Sequence, residues 1–373
     1  MAATQEELYE ALEHDAALSW SERDLPQRLR TKHVHSLHPY LGKYVPQLVE
    51  ELLRRHVPAG GRVLDPFAGS GTTLVQSLES GYEPVGVDIA AFNCLLMRVK
   101  TDVHNPFVLE HELRDVLARF ERGEGRAGRA TPYLRNWFAP QSQAELLRFR
   151  SLIGEYESAD VLRIVLTRAA RSARLTTHFD LDFPKHPQTE PYWCHKHRRE
   201  CRPVDHAAHF VRRYLLDTLT RLKEFARLRG PRPAEVIHGD ARSVELSGVF
   251  DGIVTSPPYP GLIDYHEQHR YAYELLVLDD RREQELGAAA SGTSQQALRA
   301  YVDGVASVLG ASARALRGRG RIVIVVNDRR DLYPAVLERA GLELTDRHRR
   351  HVNRRTGRRA GEYFEDVLVA RRA

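Results

Sequence analysis

The sequence predicts an α/β fold, and three observations carry that prediction. A short strand, Arg62-Val63-Leu64-Asp65, runs into a glycine-rich turn and then a helix with an apolar side. A second strand, Glu83-Pro84-Val85-Gly86-Val87-Asp88-Ile89, follows that helix and precedes another. After a long interruption the alternation resumes with Ala234 to Arg242, Val249 to Val254 and Arg321 to Val326. Strands that alternate with helices define this class.

At 373 residues, 42% hydrophobic and 28% charged, the chain reads as a globular protein with room for a large core. No apolar run approaches the roughly 20 residues of a membrane span. The acidic, polar start (Thr4-Gln5-Glu6-Glu7) does not read as a secretory signal. Three cysteines imply a reducing compartment rather than a disulfide framework. A formal charge of +5 is mild support for a polyanionic partner.

In chain order, Leu8, Leu12 and Leu18 suggest helix within the first stretch, up to about residue 30. His33 to Pro46 is dense in polar aromatics, and Pro46 is placed to open a helix carrying Leu48, Val49, Leu52 and Leu53. The turn Pro66-Phe67-Ala68-Gly69-Ser70-Gly71 then offers a ligand-binding loop. A nucleotide-phosphate loop needs a lysine after its last glycine, and Thr72 stands there. A dinucleotide fingerprint needs a third glycine where Leu74 stands. S-adenosylmethionine, a cation without phosphates, remains: Asp65 supplies a carboxylate for its ammonium group, and the glycines admit close backbone approach. Asp88, ending the second strand about 20 residues later, is placed for a ribose diol.

Residues 101–231 break the alternation. Glu121 to Arg129 reads as a flexible charged loop, with helical patterns at about 140–156, 159–173 and 206–229. Between the last two lies an aromatic and basic stretch including His178-Phe179-Asp180, Phe183 and Tyr192 to Cys201. Cys194, His197 and Cys201 offer metal-binding atoms, with His178, His206 or His209 as a fourth. Their spacing fits no standard zinc finger, so no metal is expected. The stretch reads instead as a loop whose aromatics and cations (Lys196, His197, Arg198, Arg199) meet nucleic acid. The later strands bring Gly239-Asp240-Ala241, where Asp240 can accept from an adenine amino group, and then Thr255-Ser256-Pro257-Pro258-Tyr259. Two prolines stiffen that loop and leave its carbonyls without competing donors. It suits an amine held by hydrogen bonds beside a flat ring. Asp264 to Leu276 reads as one helix, Asp279 to Thr293 as mobile, and Leu342 to Leu344 and Asp366 to Val369 as two weak strands. Between those strands, Arg347 to Arg359 reads as a basic loop gripping phosphates, with Arg349, Arg350, Arg354, Arg355, Arg358 and Arg359 as its cations.

The run Asp65 to Thr73, with Thr255 to Tyr259 after it, resembles the amino-group DNA methyltransferases. The serine form of the Pro-Pro-Tyr loop is similar to the cytosine-N4 enzymes; the adenine-N6 enzymes usually carry Asp or Asn there. His38-Pro39-Tyr40-Leu41-Gly42-Lys43-Tyr44-Val45-Pro46 resembles the family's segment over the methionine end of the cofactor. The resemblance implies a Rossmann-like methyltransferase fold, with a seven-stranded mostly parallel sheet and an antiparallel last strand. It makes 1–100 and 232–373 the two parts of the catalytic domain and 101–231 a helical insertion, the expected target-recognition region. That insertion falls between the second and third strands, whereas the nearest described order places recognition after the third.

For the cofactor, S-adenosylmethionine, the resemblance implies Tyr40, Lys43, Asp65, Pro66, Phe67, Ala68, Gly69, Gly71, Thr72, Thr73, Asp88, Ile89, Asp240, Ala241 and Ser256 as contacts. For catalysis it implies Ser256, Pro257, Pro258 and Tyr259. The implied partners are double-stranded DNA and a cognate restriction endonuclease, in the bacterial cytoplasm at the nucleoid. No Pro-Cys dipeptide occurs, which argues against cytosine-C5 methylation. An enzyme acting on adenine or on an RNA base, and a noncatalytic nucleic-acid-binding protein, are the other readings of the same residues.

Overall fold

The computed structural model describes residues 14–178, 184–352 and 363–373. Its strands are β1 (Arg62–Asp65), β2 (Glu83–Asp88), β3 (Tyr192–Cys194), β4 (Arg199–Cys201), β5 (Glu235–His238), β6 (Phe250–Thr255), β7 (Leu316–Val326), β8 (Leu342–His351) and β9 (Phe364–Arg372). Seven form one sheet in the order β5-β2-β1-β6-β7-β9-β8, while β3 and β4 form a separate hairpin. Pairs from β5 to β7 are parallel, and β9 runs antiparallel to both its neighbours. From β1 the chain moves outward to β2 and β5, then returns to the other side with β6. The carboxyl ends of β1 and β6 therefore flank the point where strand order reverses, the usual place for a ligand in an open α/β sheet.

The central strands are apolar because both faces are covered. Along β7, Ile322, Ile324 and Val326 join one core and Val323 and Val325 the other, the period of two that a strand dictates. The helix Pro46–His56 covers one face with Leu48, Val49, Leu52 and Leu53. The helices Gln295–Arg314 and Tyr333–Arg339 cover the other.

The insertion holds the helices Pro106–Glu121, Pro132–Trp137, Pro140–Leu152, Ala159–Ala173 and Ala208–Ala226. Their apolar sides share one core with Phe92, Leu95 and Leu96 of the helix Ala91–Thr101 and with Tyr271 and Leu275. No helix among the described residues is long and apolar enough to cross a membrane.

Several local expectations change. Leu8 and Leu12 lie outside the described residues; Leu18 sits in a single 3-10 turn, Ala16–Leu18, fully buried. The helix expected over 264–276 breaks at His269 into Tyr265–Gln268 and Arg270–Leu276. The stretch 279–293 carries two 3-10 turns, and Glu285 within it accepts the Tyr265 N–H at 2.8 Å and lies 2.8 Å from the His266 ring. The two tail strands are longer than expected because charged pairs continue the ladder: Arg347 with Asp366 at 3.0 Å and Arg371 with Glu343 at 2.7 Å. Arg347 to His351 therefore belong to β8 and not to a loop.

Sheet and cofactor-side helix approach closely at Gly86, where an added Cβ would sit 2.7 Å from Leu74 Cδ1 and 2.9 Å from Ala68 Cβ. Gly86→Ala is expected to lower stability by about 1–3 kcal/mol through overpacking, read as a lower urea midpoint. An unchanged midpoint would show that this contact yields freely.

Candidate active site

The turn after β1 depends on two left-handed glycines. Gly69 has φ +51° and Gly71 has φ +76°. A Cβ on Gly69 would lie 2.9 Å from the Tyr40 hydroxyl, and one on Gly71 would lie 2.8 Å from Met97 Cγ. Glycine is thus required for space as well as conformation. Ala68 N–H donates to the Val87 carbonyl at 3.1 Å, and the buried Lys100 ammonium donates to the Ser70 carbonyl at 2.5 Å.

Beside this turn is a cleft walled by Pro66, Phe67 and Gly69, by Asp88 and Ile89 at the end of β2, and by Asp240 and Ala241 after β5. Tyr40 closes one side, and Ser256 and Pro258 reach it from the loop after β6. Asp88 accepts the Gly69 and Ala90 N–H groups, each at 2.8 Å, and the Asn93 amide at 3.1 Å. Burial nevertheless pushes its pKa up to about 6. Asp240 is gripped by Arg242 at 2.9 and 2.6 Å, a pairing that lowers its pKa.

Sequence reasoning missed Asn93, Tyr265, Gln284, Glu285, Leu286 and Val308, which complete the wall. Tyr265 stacks on Tyr40 with ring centres 5.2 Å apart and planes at 16°. Asn93 follows Asp88 by five residues and could have been suspected from that spacing. Glu285 lies in a stretch whose composition signals only a loop.

Of the other expected cofactor residues, Lys43, Asp65, Ala68, Gly71, Thr72 and Thr73 do not line this cleft. Lys43 donates to the His35 carbonyl at 2.6 Å, and burial pushes its pKa down to about 8. Gly71, Thr72 and Thr73 shape the start of the helix Thr72–Glu79. Asp65 is buried outside the cleft's wall. Its carboxylate accepts Thr255 Oγ1 at 2.6 Å, Thr73 Oγ1 at 2.5 Å, the Phe67 N–H at 3.1 Å and the Tyr44 hydroxyl at 3.4 Å. Burial raises its pKa and these donors oppose the rise. Asp65 pins the end of β1 to the end of β6 and to the helix start.

The Pro-Pro-Tyr loop is held from behind. Ser256 Oγ donates to the Val325 carbonyl at 2.9 Å. Its proton is thereby committed, and the oxygen has only lone pairs left to offer. The Pro258 carbonyl accepts the Tyr301 hydroxyl at 2.9 Å. Tyr259 donates to Glu365 at 3.1 Å; burial first, and this carboxylate second, push its pKa well up.

The expected DNA-contacting cations divide. Lys196, Arg198 and Arg199 are exposed on the β3–β4 hairpin. The His197 ring lies 3.6 Å from Cys194 Sγ and 3.5 Å from Cys201 Sγ. Arg349 is exposed and lies 4.3 Å over the Phe364 ring. Arg350 does not fit the expectation: on β8 it is only 4% exposed, 3.5 Å from Glu365, because its strand position turns it into the core. Arg354, Arg355, Arg358 and Arg359 lie outside the described residues.

A family model described as DNA methylase matches residues 12–97. The chain is 34% identical to the Type II methyltransferase M.MjaII of Methanocaldococcus jannaschii, over 92% of this chain and 81% of that protein. It is 23% identical to the Type II methyltransferase M.MvaI of Kocuria varians, over 60% of this chain and 53% of that protein. It is 21% identical to the Type II methyltransferase M.BsoBI of Geobacillus stearothermophilus, over 70% of this chain and 56% of that protein. With the first of these alignments spanning most of both chains, the protein belongs to the S-adenosylmethionine-dependent DNA methyltransferases that modify the exocyclic amines of adenine (N6) or cytosine (N4).

Proposed function

We propose that the protein methylates the N4 amine of a cytosine turned out of duplex DNA at a specific site. The observation that carries this reading is Ser256, whose hydroxyl proton goes to the Val325 carbonyl at 2.9 Å while the residue borders the cleft. An oxygen limited to accepting suits an exocyclic amine, which donates in either base; cytosine is favoured because serine stands where the adenine-N6 enzymes usually carry Asp or Asn.

The cleft fits S-adenosylmethionine by the chemistry of its wall. Asp88 offers carboxylate lone pairs to a ribose diol, Phe67, Ile89 and Ala241 offer apolar surface to an adenine ring, and Gly69 leaves out the Cβ that would obstruct it. Asp240 is placed for the adenine amine once Arg242 shares it, and Tyr40 for the methionine end. Asp65 acts through the loop it anchors. When bound, the cofactor supplies a methyl group on a positively charged sulfur.

The remaining work falls to the chain. A cytosine amine is a poor nucleophile because its lone pair is delocalised into the ring. Ser256 Oγ and the Pro257 carbonyl would take its two N–H groups and rotate that lone pair out of the ring plane. The prolines set these acceptors before the base arrives, so the acceleration comes from alignment and placed dipoles. Tyr259, steadied by Glu365, would stack on the base and offset part of the few kcal/mol that unstacking costs. By likeness to its Type II relatives, the protein would protect a recognition site from a companion endonuclease, with residues 101–231 reading that site.

Mass spectrometry of digested nucleosides from DNA and RNA of expressing cells tests the target. N4-methylcytosine in DNA is expected; N6-methyladenine, or a methylated amine confined to RNA, overturns the assignment. Ser256→Ala is expected to slow methyl transfer about 100-fold, as for loss of one placed hydrogen bond, and to leave cofactor affinity nearly unchanged. Parallel losses in both would mean that the loop is merely structural.

Asp88, with a pKa of about 6, already accepts three N–H groups and must be ionised to accept further from the ribose diol. Cofactor affinity should therefore be full above neutrality and fall as pH drops through that value, approaching about tenfold per unit. Calorimetry with Asp88→Asn should give weaker binding without this slope. A wild-type profile flat from pH 7.5 to 5 would remove Asp88 from the diol contact.

A further inference from the structure

We propose that Cys194, Cys201, His197 and His178 form a structural zinc site that ties the β3–β4 hairpin to the segment following the helix Ala159–Ala173. The four ligand atoms lie within 4.8 Å of one another. Cys194 Sγ is 3.6 Å from Nδ1 of both His178 and His197, and Cys201 Sγ is 3.5 Å from Nδ1 of His197. Tetrahedral zinc with Zn–S of about 2.3 Å and Zn–N of about 2.0–2.1 Å sets the S···N edge at about 3.6 Å. Three edges of the cluster thus already have the length that a shared ion would impose.

The chain around the cluster fits a closed site. His197 N–H donates to the Cys194 carbonyl at 3.2 Å and Arg198 takes φ +51°, so the turn folds back and brings both ligands to one side. Cys194 and Cys201 are buried, whereas the residues from His195 to Glu200 are exposed. Strands of three residues make a hairpin that is marginal in water. Trp193, its largest side chain, is 60% exposed and cannot supply a core. A cross-link at the buried cysteines supplies what the apolar surface does not.

The geometry also selects the fourth ligand among the three histidines that spacing left open. His206 sits 3.3 Å from Glu145, and the His209 ring packs on Phe210 with centres 3.8 Å apart. His178 faces the His197 ring at 4.5 Å. The Tyr192 hydroxyl, 2.8 Å from His178 Nδ1, also accepts the His178 backbone N–H at 3.0 Å. Nδ1 has a single lone pair, so binding an ion there would replace the hydrogen bond from Tyr192 while the backbone N–H contact could remain. The ion would displace one proton from each thiol into solvent, and two thiolates with two neutral imidazoles would balance its charge. A second trio, His33, His35 and Glu79, has no thiol, and Lys32 already pairs with Glu79 at 2.6 Å.

The full-length protein, purified without chelator and dialysed, should retain one zinc per chain by plasma mass spectrometry. Cobalt exchanged into the site should show tetrahedral d–d bands and thiolate-to-metal charge transfer. Cys201→Ser and His178→Ala should each lose most of the metal while keeping S-adenosylmethionine binding, which reports that the catalytic fold persists. If either variant fails to fold, the cobalt spectrum of the wild type still decides. His206→Ala should keep full stoichiometry. Absence of retained zinc together with absence of cobalt charge transfer, or a Cys194–Cys201 disulfide in protein purified under reducing conditions, would overturn the proposal.

Discussion

One buried carboxylate sets the register of the catalytic face. Asp65 closes β1, and its oxygens take hydroxyls from Thr255 at the end of β6 and Thr73 at the start of the following helix. Hydrogen bonds to a charged group contribute about 1.5–3 kcal/mol each, and leaving a buried charge without partners costs more. Strand pairing alone aligns β1 with β6 at Val63 and Leu64 and stops short of the loops beyond. The carboxylate carries that alignment one residue further on β1, to Asp65, and two further on β6, to Thr255. The cofactor turn and the Pro-Pro-Tyr loop are thereby fixed against each other before anything binds.

A second relay holds the Pro-Pro-Tyr loop from the far side. Arg350 lies 3.5 Å from Glu365, and Glu365 accepts the Tyr259 hydroxyl at 3.1 Å. Ser256 is tied to β7 through Val325, and Pro258 to the helix Gln295–Arg314 through Tyr301. Each tie ends on a strand or a helix, and none on another loop. A reaction accelerated by alignment needs such backing, since a misplacement of about 1 Å can cost roughly 100-fold in rate. An arginine that reads as a phosphate contact in the sequence thus belongs to the support of Tyr259.

What was legible in the sequence were features whose physics is local. The glycine turn, Asp88 at a strand end and the Pro-Pro-Tyr loop follow from backbone conformation and short spacing, and they meet at one cleft. The helix Pro106–Glu121 went unread although Leu109, Leu113, Val116 and Phe120 form its buried side behind an Asn105 cap. Its signal was diluted by charges facing solvent. Only the start of strand β8, Leu342 to Leu344, is legible; its continuation from Arg347 to His351 reads as loop because an edge strand carries charges on its exposed positions, which hides its period. Glu285 could not be foreseen, since its place beside the cleft depends on a tertiary contact with Tyr265 and His266. Which histidine would join Cys194, His197 and Cys201 in the proposed zinc site was open in the sequence for the same reason.

The insertion and the cofactor cleft are mechanically continuous. His269, which splits the helical segment, packs on Tyr40 with centres 5.6 Å apart and on Phe92 at 4.8 Å. His38 lies within 3.3 Å of the Tyr271 hydroxyl, and Arg174 from the end of an insertion helix lies 4.7 Å over the Tyr271 ring. Burial pushes the pKa of His269 down to about 4 and that of His38 well down, so this seam carries neutral imidazoles at physiological pH. It therefore packs as an aromatic core with Arg174 as the cation set on it, and close-packed interiors transmit displacement instead of absorbing it. A load on the insertion reaches Tyr40, at the wall of the cleft, through side chains in direct contact. The helix Ala159–Ala173 is thus joined to the wall of the cleft by packed side chains and not by a linker alone.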